Sequence, residues 1–407
     1  MKCGLLGRTL GHSYSPEIHS YLASYEYVLY EKEPEELGDF LKNGDFSGLN
    51  VTIPYKKEVI PYLDDLSPVA RRLGAVNTIV RREGRLVGHN TDYFGFRSMV
   101  EQSGLDVRNK KVLVLGSGGA SNTAVAVLEE LEAKVVIISR SGQNNYKNLH
   151  LHTDTAVIVN ATPVGMYPHV GTAPVDPSLF PRLEGVLDIV YNPARTQLLM
   201  DAQSRGIVTM NGLWMLVAQA KESAEWFTNS SISNDIIRKV HQKLRLQMEN
   251  IILIGMPGSG KSTVGKLLAE RCGKRFADAD AAIVEKAGMT IPEIFAQQGE
   301  TGFRAIETQV LSELGKQSGL VIATGGGCVT REENYPLLHQ NGTIFCLDRE
   351  IASLPTEGRP LSQQGQLEQM YRIRKPLYDR FTDHHIDCNH TAQAAASQIL
   401  QILEERP

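Results

Sequence analysis

Hydrophobic positions along the chain follow two distinct periods. The β-branched runs Val112-Leu113-Val114-Leu115 and Ile251-Ile252-Leu253-Ile254 are each followed by a Gly-rich turn and then by a stretch with helical spacing. Continuous apolar runs of this length predict buried strands, and the order strand, turn, helix predicts parallel βαβ units. The helical patterns fall over 122–132 and from Val264 to Arg271, and a second strand, Val135 to Ile138, ends at Ser139-Arg140-Ser141. A polar stretch from Thr228 to Asp235 precedes a helical pattern over Ile236 to Leu246, and Gln247-Met248-Glu249-Asn250 leads directly into a new strand. A boundary near 247–250 with a very short linker follows. Upstream, residues 1–100 carry strands and helices without such a turn. The pattern predicts an α/β fold in three units: 1–100, completed by 213–247; 101–212; and 251–407.

Composition narrows the classes of partner. With 407 residues, 42% of them hydrophobic and 22% charged, the chain resembles an ordinary globular protein of two or three domains. A net charge of -4 supplies no basic field for nucleic acid or an acidic membrane, so small molecules are the expected partners. Five Cys (Cys3, Cys272, Cys328, Cys346, Cys388) form no C-x-x-C pair and are odd in number, which argues against a zinc cluster or a disulfide framework and for a reducing cytoplasm. The first residues break on Gly, Arg and His too soon for a signal peptide, and no run of 18 apolar residues occurs; a chain neither exported nor membrane-spanning is expected. Nothing in the sequence indicates an oligomeric state.

The segment Gly255-Met256-Pro257-Gly258-Ser259-Gly260-Lys261-Ser262 fits G-x-x-x-x-G-K-[ST] completely, after a strand and before a helix. Backbone amides of Gly258, Ser259, Gly260 and the following Thr263 would wrap phosphates, Lys261 would neutralise β- and γ-phosphate charge, and the Ser262 hydroxyl would complete a Mg²⁺ shell. A chance Gly-rich turn is the alternative, and the flanking elements weigh against it. Next, Phe276-Ala277-Asp278-Ala279-Asp280 is expected to end a strand with both carboxylates on one face, since strand side chains repeat every two residues; a solvated strand end or a helix cap is the plainer alternative. Phe303-Arg304-Ala305-Ile306-Glu307, Ala323-Thr324-Gly325-Gly326-Gly327, Gly358-Arg359-Pro360-Leu361 and Arg374-Lys375-Pro376-Leu377-Tyr378 follow in order. Each alone is explained by a surface ion pair, a turn or helix-flank charge. Together, after the phosphate loop, they resemble shikimate kinase over residues 250–390.

That resemblance implies a P-loop NTPase domain of the nucleoside-monophosphate-kinase type, using ATP and Mg²⁺. It assigns Asp280 to the acceptor hydroxyls and to proton acceptance, Arg304 and Arg374 to the shikimate carboxylate, and the Gly326 and Gly327 backbone to the ring. Asp278 would hold Mg²⁺ through water, and Arg359 would sit over the γ-phosphate. A carboxylate acceptor calls for Arg in bidentate geometry, and a transferring phosphoryl group calls for cations. Between Asp348 and Arg359 the chain is short, with Pro355 interrupting, where the family usually has a helix, an adenine-stacking Arg and a longer lid.

In the first half, Gly116-Ser117-Gly118-Gly119-Ala120-Ser121 matches the first two glycines of G-x-G-x-x-G/A, with Ser121 in the third place. Its setting between a strand and a helix predicts a Rossmann-type unit whose Gly116, Gly118, Gly119 and Ala120 approach a pyrophosphate. Arg140, at the end of the next strand, suits a 2′-phosphate and so NADP rather than NAD, an exposed basic residue being the alternative. Around this loop stand His12-Ser13-Tyr14-Ser15-Pro16, Asn50-Val51-Thr52-Ile53-Pro54-Tyr55-Lys56, Gly74-Ala75-Val76-Asn77-Thr78 and Asn90-Thr91-Asp92. Asn160-Ala161-Thr162-Pro163 and Asn211-Gly212-Leu213-Trp214-Met215 through Gln219 follow it. The set resembles shikimate dehydrogenase across residues 1–245. It implies that Ser13 and Ser15 bind the carboxylate, Lys56 and Asp92 form the catalytic pair, and Asn77 and Gln219 bind ring hydroxyls. Thr52 and Tyr191 line the same pocket, and Thr162 and Met215 join the NADP contacts.

A Lys beside an Asp offers a proton held in place by its counter-ion, as a carbonyl becoming an alkoxide requires; a structural salt bridge is the plainer alternative. The chain departs from the family at Tyr93 and Trp214, where Gly is usual, and at Ser139, where Asn is usual. The stretch from Ser141 to Thr155 is short enough to lack a helix. The combined resemblance implies a bifunctional enzyme that reduces 3-dehydroshikimate to shikimate with NADPH and then phosphorylates shikimate with ATP. The competing readings are a ligand-sensing regulator that retains both folds, and a quinate dehydrogenase in the first half.

Overall fold

The computed structural model describes residues 1–11, 13–354 and 364–406, with the side chains of 364–366 left aside. His12 and Arg359, both singled out in the sequence, lie outside the described residues. Three sheets carry the chain. The first contains β1 (Lys2–Gly7), β2 (Glu26–Glu31), β3 (Gly48–Val51), β4 (Asp65–Leu66), β5 (Thr78–Arg82) and β6 (Arg85–His89), in the order β2-β1-β3-β5-β6-β4. It is mixed: β1 runs parallel to β2 and β3, whereas β5 is antiparallel to β3 and β6.

The second sheet is parallel throughout, built from β7 (Lys111–Leu115), β8 (Lys134–Ile138), β9 (Val157–Asn160), β10 (Gly185–Asp188) and β11 (Val208–Asn211), in the order β11-β10-β9-β7-β8. Between β8 and β9, where a βαβ crossover normally carries a helix, the chain forms only the short 3-10 turn Leu149–His152. The third sheet is also parallel, with β12 (Asn250–Ile254), β13 (Arg275–Asp278), β14 (Leu320–Ala323), β15 (Gly342–Asp348) and β16 (His384–Asp387) in the order β13-β14-β12-β15-β16. Strands β9, β10, β12 and β14 are buried at every residue, as expected of parallel sheets covered on both faces.

Contacts between backbone positions divide the chain into two compact units. One comprises Met1–Val164, Ala173–Tyr191 and Asp201–Lys243 and holds the first two sheets; the other comprises Gly165–Thr172, Asn192–Met200 and Leu244–Pro407 and holds the third. In the first unit the helix Leu213–Thr228 packs on β3 and β5, and so returns the end of this half to the first sheet. In both units a Gly-rich loop leaves an interior strand, β7 or β12, whose neighbours lie on opposite sides in crossover order. This is the switch point at which open parallel sheets present ligand sites. No helix among the described residues is long and apolar enough to cross a membrane.

Candidate active sites

In the first unit, Lys56 follows the loop after β3, Asn77 precedes β5, and Asp92 opens the helix Asp92–Ser103. The backbone closes these segments together: Val76 N–H donates to Lys56 O at 2.7 Å and Asn77 N–H to His89 O at 3.0 Å. The side chains then converge. Lys56 Nζ donates to Asp92 Oδ2 at 2.6 Å, and Asn77 Nδ2 to Asp92 Oδ1 at 2.9 Å, so both carboxylate oxygens are engaged. Thr91 N–H donates in turn to Asn77 Oδ1 at 2.7 Å and fixes the amide orientation. Behind this layer, Ser223 Oγ lies 2.9 Å from both Thr78 Oγ1 and Thr91 Oγ1 and accepts from Asn50 Nδ2 at 2.8 Å. The Lys56 side chain is 30% exposed against 10% for Asp92, which leaves the ammonium the more accessible member of the pair.

Gln219 reaches this region because the Asp92–Ser103 and Leu213–Thr228 helices approach closely at Gly95. A Cβ on Gly95 would stand 2.7 Å from Met215 O and 3.0 Å from Gln219 Cβ. The Gln219 Oε1 atom is buried and has no partner among the described residues, an acceptor left for a donor to meet. Tyr191 meets Tyr14 edge to face with ring centroids 6.3 Å apart, and Tyr14 sits between Ser13 and Ser15, whose N–H donates to Ser13 Oγ at 3.2 Å. Thr52 is pinned by its N–H to Leu6 O at 3.0 Å.

At the end of β7 the helix Gly119–Glu130 starts at Gly118 with no side-chain cap, which leaves its first amides free. A Cβ at Gly118 or Gly119 would meet nothing within 4 Å, so the backbone there faces open space, as a pyrophosphate site needs. Ser121, in the third glycine's place, turns its hydroxyl back onto Gly116 O at 2.7 Å. Thr162 lies against Gly116 and bonds Asn160 Oδ1 through its N–H and hydroxyl. Arg140 is exposed two residues beyond β8, and Met215 is buried in the first turn of its helix. Of the departures, Trp214 is buried with its indole N–H on Ser98 Oγ at 2.9 Å, and the Tyr93 hydroxyl bonds the Glu130 carboxylate.

In the second unit, a cavity of about 600 Å³ is lined by the phosphate loop, both aspartates and the glycine triplet. Gly260 holds φ 99°, a left-handed conformation that glycine adopts without strain, and starts the helix Lys261–Cys272 with no side-chain cap. Lys261 Nζ donates to Gly255 O at 2.9 Å and Met256 O at 3.0 Å, which keeps the ammonium against the loop. Ser262 Oγ donates to Asp278 Oδ2 at 2.7 Å. The hydroxyl and carboxylate are paired oxygen donors of the kind Mg²⁺ takes, so the residues present fit that ion.

The expected placement of Asp278 and Asp280 on one strand face is corrected. Strand β13 ends at Asp278, whose Oδ1 caps the helix Ala279–Ala287 by accepting from Asp280 N–H at 3.1 Å, and Asp280 lies in that helix's first turn. Capping competes with strand extension for a short acidic side chain, and here it prevails. Both carboxylates still line the cavity.

Arg304 and Arg374 converge on the glycine triplet. A Cβ on Gly327 would overlap the Arg304 guanidinium, and Arg374 Nη1 donates to Gly326 O at 3.3 Å. Arg304 is itself held by Glu307 at 2.7 Å. Glu307, Thr324, Arg349 and Met370 also line the cavity and were given no role in the sequence reading. The i, i+3 spacing of Arg304 and Glu307 on one helix was the signal available for the first of them.

The shikimate dehydrogenase substrate binding domain model matches residues 5–79, and the shikimate kinase model matches residues 257–404. A shikimate dehydrogenase (NADP(+)) of Clostridium perfringens (strain SM101 / Type A) is 35% identical over 265 residues, covering 60% of this chain and 97% of that protein. One of Thermococcus kodakarensis is 36% identical, covering 58% and 93%. Among solved structures, shikimate dehydrogenase 1 from Peptoclostridium difficile superposes with a TM-score of 0.55 at 38% identity, covering 60% of this chain and 98% of its own. A chorismate mutase/shikimate 5-dehydrogenase fusion protein from Clostridium acetobutylicum gives 0.57 at 35% identity, covering 60% and 96%. The chain therefore belongs to the shikimate dehydrogenase family and carries, after that half, a shikimate kinase domain in the same polypeptide.

Proposed function

We propose that the two halves act on one carbocyclic acid in succession, the first reducing 3-dehydroshikimate to shikimate with NADPH and the second transferring the γ-phosphoryl group of ATP to a shikimate hydroxyl with Mg²⁺. The observation that carries this reading is the Lys56–Asp92 pair at 2.6 Å with Asn77 on the second carboxylate oxygen. A lysine so placed can give its proton to an oxygen gaining charge, while Asp92 keeps the side chain in position. Ser13 and Ser15 would take the substrate carboxylate, and Asn77, Gln219, Thr52 and Tyr191 its hydroxyls and ring. The cofactor supplies the hydride. Gly116, Gly118, Gly119, Ala120, Thr162 and Met215 would bind it, with Arg140 on the 2′-phosphate.

In the second half, Gly258, Ser259, Gly260, Lys261, Ser262 and Thr263 would hold the ATP phosphates, with Ser262 and Asp278 toward the metal ion. Arg304 and Arg374 would grip the acid's carboxylate beside Gly326 and Gly327, and Asp280 would accept the hydroxyl proton. We also infer a cytoplasmic location, supported by five free cysteines. One coupled assay tests the whole: the full chain given 3-dehydroshikimate, NADPH, ATP and Mg²⁺ oxidises NADPH first and then releases ADP. ADP release that does not depend on NADPH would refute the sequence of steps.

A further inference from the structure

A cluster of side chains outside both candidate sites has the composition of a metal centre. Cys346 and Asp348 stand two residues apart on β15, and His385 on β16 is the register partner of Cys346. Side chains two apart on a strand share a face, so these three project together. The face is covered by the helix Gln364–Phe381. Cys346 Sγ lies 3.5 Å from Asp348 Oδ1, His385 Nδ1 lies 2.7 Å from Asp348 Oδ2, and one ligand atom from each residue falls within 4.8 Å of the others. Tetrahedral zinc, with a Zn–S bond near 2.3 Å and Zn–N and Zn–O bonds near 2.0 Å, spaces its ligands about 3.3–3.5 Å apart. Side-chain adjustment on β15 and on the edge strand β16 would bring the three ligand atoms to that spacing.

A second observation concerns the far side of the imidazole. Asp379, on the covering helix, places Oδ1 3.3 Å from His385 Nε2. A carboxylate on the nitrogen turned away from the ion is the arrangement that orients metal-binding histidines and raises their basicity. Lys375, the cation facing this cluster from the helix, is ion-paired to the same Asp379 at 2.5 Å, which draws its charge toward the outer carboxylate.

We propose that Cys346, Asp348 and His385 form a site for a divalent cation of the zinc class, with the fourth position open to solvent. One thiolate, one carboxylate and a neutral imidazole balance the 2+ charge, and the mixed S, O, N set selects against Mg²⁺, which takes oxygen donors. His385 and Asp348 are 41% and 40% exposed in their side chains, which gives the ion a route in. Binding breaks the Cys346 S–H bond, forms the metal–sulfur bond and releases one proton to solvent. The titratable and charged groups facing that thiol are Asp348 on its own strand, His385 on β16, and Lys375 and Asp379 on the helix.

The test uses the full-length chain without a tag, titrated with Co²⁺ and then with Zn²⁺. One equivalent of Co²⁺ produces a thiolate-to-metal charge-transfer band in the near ultraviolet, which stoichiometric Zn²⁺ abolishes and excess Mg²⁺ leaves intact. Cys346→Ser removes the band. His385→Ala weakens Co²⁺ binding at least ten-fold, and Asp379→Asn weakens it about 10–100-fold. Because Cys346 is buried, the exposed His385→Ala and Asp379→Asn variants decide the question if the serine variant does not fold. Absence of the band in the wild type, or a band and affinity unchanged in His385→Ala, overturns the proposal.

Discussion

Glu307 accepts a 2.7 Å bond from Arg304 Nη1 while its other oxygen, Oε1, is buried without a partner among the described residues. The free oxygen faces Gly325, where a Cβ would stand 2.8 Å from it and 2.9 Å from Asp280 Oδ1. Burial pushes the Glu307 carboxyl above the usual range; Arg304 opposes the shift and Asp280 adds to it. Glu307→Gln keeps the shape and an acceptor but removes the charge that aims Arg304. We expect kcat/KM for shikimate phosphorylation to fall about ten- to hundred-fold, the scale of a hydrogen bond to a charged group at 1.5–3 kcal/mol. Because the folded pKa is raised, the ionised Glu307 lowers stability as pH rises through that pKa, and the Gln variant loses this part of the pH dependence. Unchanged kcat/KM would show that Arg304 needs no such support.

On the proposed mechanism, Lys56→Ala removes the proton donor of the first half, while the Asn77 bond to Asp92 does not involve Lys56. Losing a positioned acid typically costs 10²–10⁴ in rate, so kcat for 3-dehydroshikimate reduction should drop by about two orders of magnitude or more, with a smaller change in KM. Far-ultraviolet circular dichroism and the urea unfolding midpoint of the same variant serve as the folding control. A kcat near wild type would reduce the pair to a structural salt bridge.

Arg140 is exposed beyond β8, next to a glycine loop whose amides face open space. Arg140→Ala should raise KM for NADPH by about ten-fold or more and leave KM for NADH nearly unchanged, since only the former carries the 2′-phosphate. Equal effects on the two cofactors would place the discriminating contact elsewhere.

His89 predicts an acid-sensitive element in the first unit. Its ring stacks on Trp226 with centroids 3.5 Å apart, and neither ring nitrogen has a partner among the described residues. Burial, helped by the Arg82 charge, lowers its pKa to about 4 from an ordinary 6.5. The unfolded chain therefore binds a proton that the folded chain refuses, so stability is lost as pH falls from about 6.5 toward 4. His89→Phe keeps a ring against Trp226 and removes the titration. Urea unfolding at pH 7 and pH 5 should show the variant gaining on the wild type at the lower pH, on the order of 1–2 kcal/mol. An equal difference at both values would assign the acid loss to other groups.

What the sequence made legible was local. The phosphate loop at 255–262 and the glycine turn at 116–121 are continuous segments whose strand and helix context can be read directly, and both fall where expected. The Lys56–Asp92 contact spans 36 residues, and only resemblance to a family brought those two together before the structure showed it. Asp280 was misplaced because alternation along a strand assumes that the strand continues, and capping by Asp278 ends it two residues earlier. The Cys346, Asp348 and His385 cluster depends on the register between β15 and β16, which no local pattern specifies.

Arg349 bears on how the nucleotide base is recognised. Arg349, the residue after β15, lines the cavity that holds Lys261 and Ser262. It is half-buried and its Nε is buried without a partner among the described residues, so the guanidinium is poised to meet a ligand on this side of the cavity. A guanidinium stacked on an aromatic base contributes roughly 0.5–2 kcal/mol, or a few-fold to about thirty-fold in affinity, to either purine nucleotide. Arg349→Ala should raise KM for ATP and for GTP by a similar factor and leave KM for shikimate within about two-fold. The proposed phosphate contacts from Gly258, Gly260 and Lys261 do not involve Arg349, so ATP should still bind the variant. Steady-state kinetics with both nucleotides and with varied shikimate separate the outcomes. A rise in KM for shikimate at constant KM for ATP would put Arg349 on the acceptor side of the cavity, and an ATP preference above about a thousand-fold, or 4 kcal/mol, would require a base contact from another element.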